Sequence, residues 1–280
     1  MKAAMVTNTF VIAIALSAMA AATAIAGPLT DRIAAGKPIR LGFANEVPAA
    51  YLGKSGEPEG FVNIMTLDVL KKMGYDKIEP VQTEWGGLVP GLQAGRFDII
   101  TGGMFILASR CENVAFAEPI YKAGEAFLVP AGNPKHLRNY DDLLKSGVTG
   151  AGYANIQHAK AAGVDAAKIM EVPGPPEILA AVQAGRADAG AGTPILVGEL
   201  AAGSRGKLEV TDPAAMPKDS FNWGGLAFSK EDQEFIAAFN AALKEYIGSE
   251  EMMKAVAKYG YTKDWLPGDE NNTKWICANR

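Results

Sequence analysis

The chain has 280 residues, with 27 Lys and Arg against 31 Asp and Glu, a formal net charge of −4, 49% apolar residues and two cysteines. That length suits one large or two small domains with ample cores. The mild acidity gives no reason to expect nucleic acid or an anionic membrane as partner, and beyond the N-terminus no stretch approaches the ~20 uninterrupted apolar residues of a membrane span.

The first 26 residues read differently from the rest. Lys2 supplies a weak positive start, Phe10 to Leu16 an apolar core, and Ala24-Ile25-Ala26 a small-x-small cleavage site. This is the pattern of a secretory signal peptide cut before Gly27, with an uncleaved anchor as the alternative. No Cys follows the cleavage site, which argues against a lipoprotein anchor. In an exported chain the pair Cys111 and Cys277 reads as a disulfide, a buried thiol pair being the other reading. Such a bridge brings the C-terminus beside Cys111.

In chain order, Pro38 to Ala44 alternates as a strand and opens into the turn Asn45-Glu46-Val47-Pro48. Gly60 to Met73 has helical spacing, with apolar residues at 61, 64, 65, 69 and 70. Ile78 to Thr83 reads as a strand, Trp85 to Ala94 as a helix and Ile99 to Thr101 as a buried strand. This β-α-β-α-β series specifies a parallel sheet with covering helices. Ala126 to Val129 is a strand broken by Pro130-Ala-Gly-Asn-Pro134. A second round follows: strand Val148 to Gly150, helix Ile156 to Ala162, strand Ile169 to Val172, another helix, and strand Ala189 to Ala191. Gly224 to Phe228 reads as a strand, and Glu231 to Ile247 and Glu250 to Tyr259 as helices.

The two rounds share a repeated phrase. Leu88 to Asp98 and Ile178 to Asp188 each carry an apolar helix stripe, then Gln-Ala-Gly-Arg-x-Asp, then a strand without charge. Gly95 and Gly185 are positioned to stop each helix in the left-handed conformation. Two such units imply two similar α/β lobes: 27–127 plus 226–280 for the first, 128–225 for the second. Crossings near 126–129 and 225–228 would form a two-strand hinge that lets the lobes close on a small ligand.

The run Gly102-Gly-Met-Phe105-Ile-Leu-Ala-Ser-Arg110, followed by Val114-Ala-Phe-Ala-Glu-Pro-Ile-Tyr121, resembles the amino-acid-type periplasmic binding proteins of ABC importers, family 3. Leu41 to Glu46, Thr83-Glu-Trp-Gly86 and Arg110-Cys111 look most like its ectoine and hydroxyectoine receptors, in which Cys277 also has a counterpart. The resemblance implies a type II two-lobed fold, a periplasmic location, a small zwitterionic carboxylate as ligand and a membrane ABC permease as partner. It implies a monomer that is not an enzyme and needs no metal or cofactor. In the family the position of Arg110 binds the ligand carboxylate, a task suited to the forked guanidinium. Glu46, Trp85 and Phe105 fall at strand ends facing a ligand crevice, where aromatic faces and a carboxylate hold a delocalised cation.

The second lobe departs from the family. Thr193 stands where amino-acid receptors carry an Asp for the α-ammonium, so a standard α-amino acid lacks its usual partner. Ala49 replaces an aromatic of the ectoine receptors, with Tyr51 as a candidate to fill that space and Phe221 or Trp223 as further aromatics. Asn155 replaces the usual hydroxyl near a helix start and is a candidate carboxylate donor. A polar amino acid or a betaine-like solute is the alternative ligand. Periplasmic dehydratases acting on cyclohexadienyl acids share the fold, and in that second reading Glu46 is the acid. His136 and His158 are expected at the surface, and Asp98 and Asp188 as structural caps.

Overall fold

A computed structural model describes residues 27–146, 150–152, 156–217, 221–268 and 271–280. The proposed signal peptide, most of the strand expected at 148–150, and Asn155 lie outside the described residues.

Two five-stranded sheets form the two lobes. The first runs in the order Ile78–Gln82, Ile39–Phe43, Ile99–Ile100, Ala227–Phe228, Ala115–Phe116. Its first three strands are parallel, and Ala227–Phe228 is antiparallel to both of its neighbours. The second runs Ile169–Glu171, Gly150–Gly152, Ala189–Gly192, Ala126–Pro130, Leu208–Val210. Here too three parallel strands are followed by an antiparallel one. Each lobe thus places the first strand of its α/β round in the middle, with the second and third on either side. The sheets are mixed rather than wholly parallel because Ala126–Pro130 and Ala227–Phe228 return from the opposite direction.

The repeated phrase occupies equivalent places. The helices Leu88–Gln93 and Pro175–Gln183 each precede the third strand of their lobe. Gly95 and Gly185 have φ of 65° and 67°. In both, the amide of the following Arg reaches back five residues, Arg96 to Gly91 O and Arg186 to Ala181 O, each at 2.9 Å. This closure satisfies carbonyls that the ending helix would otherwise orphan. Asp98 ties strands together where a helix cap was expected. Asp98 accepts two hydrogen bonds from the Arg40 guanidinium, at 2.6 and 3.1 Å, and one from the Arg40 amide, pinning strand to strand. Asp188 pairs with Lys135 at 2.6 Å.

The lobes are joined by an antiparallel ribbon of Tyr121–Ala123 against Asn222–Gly224. It lies a few residues before each expected crossing, since Ala126–Pro130 and Ala227–Phe228 belong to the sheets. Buried Glu125 marks one break, accepting from the Tyr140 hydroxyl and from Asn222 Nδ2. Half-buried His158 also faces Glu125, Nδ1 to Oε1 at 3.0 Å, which corrects its expected surface position. His136 is exposed.

The helices Gln233–Tyr246 and Glu250–Val256 pack on Phe61–Lys72, so the C-terminal region belongs to the first lobe. Phe61, Val62, Met65, Val69 and Leu70 are buried on that helix. The expected disulfide is present, Cys111 to Cys277, with Cα atoms 5.8 Å apart. It holds the terminal helix Thr273–Asn279 against Ala108–Cys111. Among the described residues no helix is long and apolar enough to cross a membrane.

Candidate ligand-binding site

A narrow cavity of about 50 Å³ lies between the lobes, room for a few water-sized groups. The first lobe contributes Glu46, Phe61, Trp85, Phe105 and Tyr121 to its wall, with Trp265 from the C-terminal region; the second contributes Thr193, Ile195 and Leu196. Past Glu46 and Trp85 the cleft continues as an open recess of about 520 Å³, flanked by Glu84 on one lobe and Glu177 on the other.

Local folding explains how these side chains arrive. Glu46 follows the first strand in a closed turn, its amide bonded to Ala50 O and the Ala50 amide to Glu46 O. The carbonyls of Pro48 and Ala49 accept the first amides of the next helix, from Phe61 and Val62, each at 3.0 Å. This docks the turn on the helix and sets the Phe61 ring at the cavity. Gly60 permits the approach: its φ is 101°, and a Cβ would overlap the Ala49 carbonyl. Glu46 is only 8% exposed, so a carboxylate stands in a largely desolvated wall.

Phe105 bridges Gly224, and Ile106 N donates to Trp223 O at 2.8 Å, coupling this wall to the hinge ribbon. Tyr121, on the ribbon, donates its hydroxyl to Gly103 O. Burial pushes the Tyr121 phenol far above its ordinary value; the Glu46 charge adds to this and the Arg110 charge opposes it. Tyr121 therefore stays a neutral donor at any physiological pH. The ring of Phe61 meets Tyr121 edge-on at 5.4 Å, Phe105 lies 6.0 Å from Tyr121, and Trp265 stacks on Tyr121 at 6.3 Å.

Arg110 sits one step back from the lining. Its Nη1 donates to Phe105 O at 2.8 Å and its guanidinium carbon lies 5.6 Å from the centre of the Trp85 ring. Thr193 caps the helix Pro194–Gly203, its hydroxyl oxygen accepting from Leu196 N at 3.2 Å. That cap turns the start of the helix, with Ile195 and Leu196, toward the cavity.

The structure thus brings Glu46, Trp85, Phe105 and Thr193 together around one space, with Arg110 behind Trp85. Tyr51 is placed elsewhere. Its hydroxyl donates to Glu59 and its ring meets Tyr259 edge-on, away from the cavity lining; burial first, then Glu59, pushes its phenol up to about 12. Trp223, on the ribbon itself, is buried and donates Nε1 to Pro267 O, and Phe221 is 40% exposed beside Gly124. The aromatics that do supplement the wall are Phe61, Tyr121 and Trp265. Sequence reading passed over them because each also fits a core position; only the Gly60-Phe61 helix start and the Pro119-Ile-Tyr121 strand start hinted at crevice positions.

Residues 39–262 match the model of the bacterial extracellular solute-binding proteins, family 3. A probable amino-acid ABC transporter periplasmic-binding protein of Sinorhizobium fredii is 34% identical over 265 residues, covering 91% of this chain and 88% of the relative. Among solved structures, EhuB in complex with hydroxyectoine superposes with a TM-score of 0.78 at 27% identity, covering 89% of this chain and 98% of EhuB. An ancestral amino-acid-binding protein, a precursor of cyclohexadienyl dehydratase, superposes at 0.69 with 29% identity, over 82% of this chain and 98% of its own. With the two-lobed fold and the interlobe cavity, these matches establish that the chain belongs to the family 3 bacterial extracellular solute-binding proteins of ABC importers.

Proposed function

We propose that the chain, exported by its N-terminal signal peptide, is a non-enzymatic periplasmic receptor that captures a small zwitterion with a delocalised cation, of the ectoine and hydroxyectoine type. It then delivers this solute to an ABC permease. The observation that carries the ligand class is the asymmetry of the cavity. The first-lobe side has a desolvated carboxylate, Glu46, among aromatic rings, whereas among the described residues the second lobe lines this cavity with Thr193, Ile195 and Leu196, its nearest carboxylate side chain in the cleft being Glu177 out in the open recess. A primary ammonium has three donors to satisfy and is costly to bury with fewer partners. A cyclic amidinium spreads its charge over a flat face and gains from aromatic contact, about 0.5–2 kcal/mol per ring. Arg110, beside Trp85, supplies the guanidinium for the carboxylate end. Ligand contacts to both lobes favour the closed arrangement over the open one, and the permease reads closure.

The name of the Sinorhizobium fredii relative supports the alternative of an α-amino acid ligand. Thermal shifts on protein stripped of ligand by unfolding and refolding separate the two. A rise in melting temperature with ectoine or hydroxyectoine and none with common amino acids is expected. A rise with an amino acid alone would overturn the ligand class and leave the receptor class standing. Turnover of a cyclohexadienyl acid, in place of stoichiometric retention, would overturn the non-enzymatic reading.

A further inference from the structure

Trp265 lies three residues beyond the end of the family match at 262, yet its ring is part of the cavity wall. It stacks on Tyr121 with 30° between the planes and meets Phe61 edge-on at 5.7 Å. Those two rings belong to the wall that Ala49 lines with only a methyl group. The short turn Lys263–Trp265 carries the ring, which also lies 5.8 Å from the ring of Tyr261. The turn belongs to a strap, described over 261–268 and 271–280, that is pinned at intervals across the first lobe. The Tyr261 hydroxyl donates to Ile120 O at 2.9 Å and Trp223 Nε1 to Pro267 O at 3.1 Å. Further along, the Thr273 hydroxyl donates to Ala117 O at 2.7 Å, Cys277 is bonded to Cys111, and Ala108 N donates to Arg280 O at 2.7 Å.

We infer that Trp265 is a specificity-determining residue of the binding site, an aromatic wall built by the C-terminal strap, and that the Cys111–Cys277 bridge is the covalent pin that keeps it in place. A single indole facing a delocalised cation contributes enough to change affinity several-fold to about 30-fold. The bridge also adjoins Arg110, but its hold on the strap acts on the ligand through that ring. That part of its effect on binding must disappear when the ring is absent.

The inference rests on the cleft being the ligand site, and the test is arranged to separate its failure from that of the ligand class. Hydroxyectoine is titrated calorimetrically into the wild type, Trp265→Ala, Trp265→Phe, the pair Cys111→Ser with Cys277→Ser, and that pair combined with Trp265→Ala. Trp265→Ala should weaken binding about tenfold and lower the melting temperature through the lost ring packing, and Trp265→Phe should restore most of the affinity and stability. The cysteine pair should weaken binding about threefold in the wild type and clearly less in the Trp265→Ala background, a coupling read directly from the cycle. Wild-type affinity in Trp265→Ala would overturn the assignment of the ring, and additive losses would overturn the role of the bridge.

The same variants are titrated with glycine betaine and L-glutamine. A wild type that binds one of these and not hydroxyectoine would overturn the ligand class, and the variants would still test Trp265. In protein labelled with 5-fluorotryptophan, the Trp265 fluorine resonance, assigned by its loss in Trp265→Phe, should move when the bridge is removed, with or without ligand. An unmoved resonance would overturn the pinning.

Discussion

The guanidinium of Arg110 and the ring of Trp85 are held 5.6 Å apart, while Arg110 also donates to the carbonyl of Phe105. The group suited to a ligand's negative end is therefore fixed to two of the aromatic residues suited to its positive end. A shift in the short helix Ala108–Cys111 would move both halves of the site together, and the disulfide at Cys111 anchors that helix.

Arg110→Ala should lower ligand affinity about 100-fold or more, since truncating one partner of a charged pair in a closed cleft costs about 2–5 kcal/mol. Its melting temperature should change little, because the side chain is only half-buried. Arg110→Lys should recover only a minor part of the loss, as an ammonium lacks the fork. Calorimetric titration checks both, and undiminished affinity in Arg110→Ala would contradict the carboxylate role.

Gly224 lies on the hinge ribbon, where a Cβ would overlap the ring of Tyr121. Gly224→Ala should destabilise the protein by about 1–3 kcal/mol through forced repacking. The same change should weaken binding by displacing Tyr121 from the cavity wall. Thermal unfolding and titration on one preparation measure the two effects, and an unchanged protein would show that the ribbon yields more readily than its packing implies.

Thr193→Asp should shift specificity toward α-amino acids. The substitution keeps the cap of the helix Pro194–Gly203, since Asp caps as well as Thr, and gives the second lobe a carboxylate at the cavity. Affinity for L-glutamine should rise while affinity for ectoine changes less. No gain for any amino acid would show that the missing carboxylate is not what excludes them.

Asp232, buried where its carboxylate accepts from Leu29 N at 2.9 Å, has its acidity weakened by burial above all, against the opposing effect of that amide. A carboxyl whose folded value is raised binds more protons folded than unfolded, so stability falls as pH rises above its ordinary 3.8. Asp232→Asn keeps an acceptor for Leu29 and should remove that portion of the decline. Urea unfolding of both proteins from pH 4 to 7 checks the difference in slope.

Much of this fold is legible in the sequence because it rests on local physics. The glycine stops at Gly95 and Gly185, the apolar stripe of Phe61–Lys72 and the uncharged strand Ile99–Ile100 need no partner to be read. The cysteine pair was readable from export and parity. Features made by distant contacts were not. Gly224 to Phe228 reads as one strand, but the chain leaves the ribbon after Gly224 and rejoins the first sheet at Ala227. The helix Pro194–Gly203 follows a run of Gly and Ala with no periodic contrast, and its Thr193 cap is evident only in the structure. Tyr51 is a candidate in sequence to fill the space left by Ala49, yet its hydroxyl is bonded to Glu59. Trp265 is distant in sequence from every other cavity residue and reaches them only because the strap is pinned back across the first lobe.

The central claim, that the cavity selects a delocalised cation over an ammonium, is tested most directly by comparing the dissociation constants of ectoine and L-glutamine on ligand-stripped wild-type protein by calorimetry. The account predicts that ectoine binds at least about tenfold more tightly, as expected from one or two aromatic contacts to the cation. Tighter binding of L-glutamine would contradict it.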